Sequence, residues 1–101
     1  MKIIGAEYTI TIVAKETIAN RWLRQTLLSE FGGVTIGPVC QGFWLNDDGQ
    51  EVLDAVQRVY VAIPRNSLVR LLDIVQEYAN LANQECVYVV QPNGSALLID
   101  R

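Results

Sequence analysis

From Glu7 to Ala14 apolar and polar positions alternate, with Tyr8, Ile10 and Ile12 on one side and Glu7, Thr9 and Thr11 on the other. Period two with β-branched side chains predicts a half-buried strand. After Lys15 the spacing changes to three and four residues. Ile18, Ala19, Trp22, Leu23, Leu27 and Phe31 form one stripe, and Arg21, Arg24, Gln25 and Ser29 fill the opposite face, as in an amphipathic helix. Gly32-Gly33 follow directly, where a left-handed residue caps a helix and turns the chain.

A second extended stretch runs from about Val34 to Leu45. Asn46-Asp47-Asp48-Gly49 then supplies the side-chain acceptors and positive-φ tolerance of a hairpin turn. Residues from about Glu51 to Ile63 return as the antiparallel partner. Pro64 ends that strand, and Asn66 or Ser67 is placed to cap a helix reaching about Asn83. This helix carries Leu68, Leu71, Leu72, Val75, Ala79 and Ala82 on one face, widened by Val69, Ile74, Tyr78 and Leu81. The stripe is broader than contact with one sheet requires. Cys86 to Gln91 and Ser95 to Asp100 read as two further strands around Pro92-Asn93-Gly94.

The expected fold class is α+β. The order is that of a ferredoxin-like β-α-β-β-α-β sandwich with an extra C-terminal β-strand, forming one domain over residues 1–101 with two helices on one face of an antiparallel sheet. In that topology the first and third strands are central and the second and fourth lie at opposite edges. Gly37-Pro38 and Gly42 fit an edge, where proline and interior glycine are tolerated. Cys40 and Cys86 then stand about three strand spacings apart, or ~14 Å, so no intrachain disulfide is expected.

Composition narrows the chemistry. The 101 residues are 50% hydrophobic and 19% charged, with a net charge of −3 and no histidine. The commonest general base, imidazole zinc sites and histidine-activated nucleophiles are therefore excluded. The basic residues are dispersed, and neither a phosphate-binding glycine loop nor a basic-aromatic run appears around Gln57-Arg58-Val59-Tyr60-Val61, so no nucleic-acid partner is expected. The N-terminus reads as a strand and not a targeting segment. No apolar run approaches a membrane span, and a cytoplasmic protein without a membrane partner is expected. Asp47, Asp48 and Glu51 lack the spacing of a calcium loop and are read as a solvated turn; no metal site and no cofactor are expected.

Parity places Thr9, Thr11, Asp54, Arg58, Tyr60 and Tyr88 on the sheet face without helices, with Trp44 near an edge on either side. Trp44, Asp54, Arg58, Tyr60 and Tyr88 are thus the candidates for a ligand site or interface. A solvated face with an Asp54–Arg58 pair is the plain alternative. No catalytic residue is assigned. The leading expectation is a homodimeric binding or interaction module, not an enzyme, that uses the open sheet face or an edge strand, with a small molecule as a further candidate partner. The alternative is a cofactor-independent enzyme of the dimeric α+β-barrel type, with Asp54, Arg58 and Tyr60 lining a pocket beside Trp44.

Over its last two-thirds the chain also resembles a group of small uncharacterised bacterial domains. The resemblance rests on Gly42-Phe43-Trp44, Asp48-Gly49, Asp54, Val59-Tyr60-Val61, Tyr78 and a strand at Val87. It implies a small domain of this α+β type and no particular activity.

Overall fold

In the computed structural model, which describes residues 1–101, nine short elements follow one another. They are β1 (Ala6–Val13), α1 (Ile18–Phe31), β2 (Thr35–Ile36), β3 (Cys40–Leu45), β4 (Glu51–Ile63), a single 3₁₀ turn (Arg65–Ser67), α2 (Leu68–Leu81), β5 (Cys86–Val90) and β6 (Ala96–Asp100). The six strands form one sheet in the order β2-β4-β1-β5-β6, with β3 also on β4. Every pairing is antiparallel. Each helix joins two strands that run the same way with an antiparallel strand between them, which interlocks the two β-α-β halves.

The alternation in β1 does what the sequence predicts: Tyr8, Ile10 and Ile12 are buried beside Val59, Val61 and Ile63 of β4 and Val87 and Val89 of β5. The helices close over this face. Ala19, Leu23 and Leu27 of α1 and Leu71, Ile74, Val75, Tyr78 and Ala79 of α2 complete a single cluster of 16 buried residues. Burying a Leu, Ile or Val side chain contributes about 1.5–3 kcal/mol, so this layer dominates the fold. Arg70 on α2 pairs with Glu30 on α1 at 2.6 Å outside it.

Helix α1 starts where Thr17 Oγ1 accepts from the Asn20 amide at 3.1 Å and stops at Gly32, whose φ of 84° is left-handed. The stripe of α1 is narrower than expected, because Ile18, in the first turn, is 83% exposed. Helix α2 begins after Ser67, but no side chain caps it; the 3₁₀ turn following Pro64 leads the chain in.

Two features depart from the expected strand layout. The second extended stretch is interrupted at Gly37-Pro38, which separates β2 from β3, although both pair with β4. The fourth strand, unlike β2 and β3, is not an edge. β6 pairs with β5 along its whole length, so Cys86 faces Asp100 on an interior strand. Both cysteines are free, Cys40 on β3 and Cys86 on β5.

Candidate functional site

Strand β4 has 13 residues, and β1 covers only those from Val56 to Ile63. The remainder, from Glu51 to Ala55, pairs as a strand only with β3, from Gln41 to Leu45, and the Ala14 amide's bond to the Ala55 carbonyl marks where the chain after β1 leaves it. The end of this hairpin is therefore a two-stranded ribbon with no third strand beside it. Its turn is held by Asn46 Oδ1, which accepts from the amides of Asp48 at 3.0 Å and Gln50 at 2.9 Å. The ribbon is apolar and uncovered: Phe43, Trp44, Leu45 and Leu53 are all exposed. Register puts Trp44 opposite Val52 and Gly42 opposite Asp54, so Trp44 shares a side with Asp54 and faces away from the helices.

The rest of the uncovered sheet face follows from the same register. Thr11 lies opposite Arg58 on β4 and opposite Tyr88 on β5, and Tyr88 lies opposite Leu98 on β6. Arg58, Thr11, Tyr88 and Leu98 thus form one rank across four strands. Thr35, Tyr60, Thr9, Val90 and Ala96 form the next. Arg58, Tyr88 and Leu98 are exposed, and no element packs over them.

The five residues singled out from the sequence all occupy this face, but not as one pocket. Asp54 and Arg58 make no ion pair; the three ion pairs present are Arg21–Glu16, Arg24–Glu16 and Arg70–Glu30. Four residues along an extended strand span ~13 Å, too far for direct contact. Tyr60 is packed on its β2 side, where a Cβ on Gly37 would come within 3.2 Å of its ring. Tyr60 lines a recess that none of the other four lines. That recess, of 260 Å³, lies among Ile4, Glu7, Phe31, Gly32, Gly33, Val34, Thr35, Tyr60 and Ala62.

A second recess, of 390 Å³, opens at the start of α1, where Lys15, Thr17, Asn20, Tyr78 and Gln84 supply its polar lining. The sequence reading did not single out these groups together, since Asn20 and Tyr78 are 58 positions apart and meet only through packing of α1 on α2. Their polar atoms already satisfy one another. Tyr78 donates to Asn20 Oδ1, while Asn20 Nδ2 donates to the carbonyls of Val13 and Lys15. Burial pushes the Tyr78 phenol up to about 12. No group of acidic or cysteine side chains is arranged to hold a metal ion, and no helix is long and apolar enough to cross a membrane.

These features define a small α+β protein with two helices against a six-stranded antiparallel sheet. No described protein family matches the chain, and no curated protein does. Solved structures are similar to it in fold. A phage SAM lyase in complex with S-methyl-5'-thioadenosine aligns with a TM-score of 0.71 at 13% identity, over 100% of this chain and 95% of that one. CutA1 from Oryza sativa aligns with a TM-score of 0.65 at 23% identity, over 95% of this chain and 80% of that one. A phage SAM lyase in the apo state gives a TM-score of 0.64 at 13% identity. At these identities the likeness is one of fold.

Proposed function

We propose that the chain is a self-associating binding module of ferredoxin-like fold, a single domain that works as a homodimer through its β3–β4 ribbon and uncovered sheet face. The strand order β2-β4-β1-β5 supports the fold assignment, with β6 as an added edge. The observation that carries the functional reading is the ribbon. Two strands alone are marginal in water, and this pair exposes Phe43, Trp44, Leu45 and Leu53 on its two sides. Apolar side chains in that number stabilise a ribbon only when something covers them, and large aromatic residues are what buried interfaces favour. The rank of Arg58, Tyr88 and Leu98 provides a second exposed surface of the same character.

Sedimentation velocity tests this directly. The wild-type chain is expected to sediment as a dimer at tens of micromolar, and Phe43→Ser with Leu53→Ser as a folded monomer. A wild-type monomer under those conditions overturns the reading.

A second reading is favoured by the phage SAM lyase complex, which matches the whole of this chain in fold. On that reading the module is a cofactor-independent enzyme acting on a thioadenosine-type compound, with Asp54, Arg58 and Tyr60 brought into a shared pocket by association. Incubation with S-adenosylmethionine and mass spectrometry for S-methyl-5'-thioadenosine decides it. Product that vanishes in Asp54→Asn or Arg58→Ala supports the enzyme, and no product above the blank rejects it.

A further inference from the structure

Strand β2 is only two residues long and pairs with Val59 and Tyr60 of β4, leaving that edge of β4 open from Val61 to Ile63. The segment from Phe31 to Thr35 crosses beside this opening, and Ile4 borders it from the N-terminal side, giving the 260 Å³ recess. Its chemistry is one-sided. Phe31 and Tyr60 bring two aromatic rings, Thr35 a hydroxyl and Glu7 a carboxylate, while neither Lys nor Arg is present. Glu7 lies opposite Ala62 on the same face as Tyr60, so the smallest side chain of that row leaves space between the carboxylate and the phenol. Glu7 takes part in none of the three ion pairs.

A carboxylate in no ion pair, within a recess that Tyr60 and Phe31 line, favours a positively charged ligand, since ring faces attract cations and the carboxylate adds Coulomb attraction. The volume selects further, because sites for drug-sized molecules occupy roughly 300–1,000 Å³. We propose that this recess binds a compact organic cation, a quaternary ammonium or sulfonium group, with Glu7 as its counter-charge and Tyr60 and Phe31 as its aromatic walls. The packing of Gly37 against Tyr60 holds that ring in place. The site lies at the β2 edge of the sheet, away from Phe43 and Leu53 of the ribbon.

The test is an amide NMR titration with choline and with its neutral isostere 3,3-dimethylbutan-1-ol. Choline is expected to bind saturably, with shifts centred on Gly32, Gly33, Thr35 and Ala62, and the isostere about tenfold more weakly or less tightly still. Glu7→Gln should weaken choline by ~5–10-fold while leaving the isostere unchanged. Tyr60→Leu should weaken choline and keep the protein folded by its amide spectrum. The monomeric Phe43→Ser, Leu53→Ser chain should bind choline as the wild type does, which separates this site from self-association. Equal binding of the two probes, binding unaffected by Glu7→Gln, or no saturable binding of choline would each overturn the proposal.

Discussion

Tyr78 on α2 donates its phenolic hydrogen to Asn20 on α1 across 2.5 Å, and Asn20 passes the link on to the Val13 carbonyl at 2.8 Å and to that of Lys15. One amide side chain therefore ties both helices to the end of β1. Removing one partner from such a bond leaves the other unsatisfied, at about 1–3 kcal/mol. Asn20→Ala should lower stability to denaturant by that amount, since it orphans the Tyr78 hydroxyl and removes the side-chain donor from the Val13 and Lys15 carbonyls, which keep only their backbone partners. Asn20→Asp should not restore it, because a carboxylate cannot donate to the carbonyls. Urea unfolding of the two variants beside the wild type measures both effects.

The same phenol makes stability sensitive to alkaline pH. Burial raises its folded-state pKa to about 12 from the ordinary 10.0, so the folded protein keeps a proton that the unfolded chain gives up. The stabilisation is fully present below pH 10, then falls as pH rises toward 12, because over that window the folded state binds more protons. Tyr78→Phe removes the titrating group and should flatten this part of the profile relative to the wild type. Unfolding midpoints measured between pH 9 and pH 11.5, a window of roughly the unperturbed phenol range, should diverge for the wild type and not for the variant. Parallel profiles would assign the alkaline loss to other tyrosines.

Much of the scaffold was legible because single-element periodicity determines it. The alternation of Tyr8, Ile10 and Ile12, the turn at Asn46 to Gly49 and the stop at Gly32 depend on neighbours in sequence, and each appears where the pattern puts it. What escaped depends on residues far apart. The turn at Pro92-Asn93-Gly94 joins β5 to β6, yet the expected layout still left β5 at the edge that β6 occupies, and nothing near Pro64 says that a 3₁₀ turn replaces a side-chain cap. Parity along β4 put Arg58 and Tyr60 on one face correctly, but the recess beside Tyr60 depends on the shortness of β2. The ribbon escaped for a similar reason, since the length of β4 beyond β1 follows from register and not from composition.

Gly5 precedes β1 at a point where backbone, not side chain, sets the requirement. Its φ is 145°, and a Cβ there would lie 1.8 Å from the Ile63 carbonyl oxygen. Gly5→Ala therefore meets both a disfavoured conformation, at about 1–3 kcal/mol, and a clash with backbone that cannot turn aside. The variant should lose the Ala6–Ile63 end of the β1–β4 ladder, visible as faster amide exchange at those positions, together with a lower melting temperature. Gly33→Ala is the control, since nothing lies within 4 Å of a Cβ there. It should stay within about 0.5 kcal/mol of the wild type.

The ribbon makes a prediction that does not require knowing the geometry of association. Anything that binds the folded chain and not the unfolded one raises apparent stability by mass action, and a second copy is such a ligand. The wild-type melting temperature should therefore rise with protein concentration, whereas for Phe43→Ser with Leu53→Ser it should be flat. Both side chains lie outside the buried cluster, at 58% and 53% exposure, so the double variant removes little of the intramolecular core. At the lowest concentration the two proteins should then melt nearly together. A constant offset at every concentration would instead mean that the two side chains stabilise the hairpin within one chain, and the ribbon would lose its role as an interface.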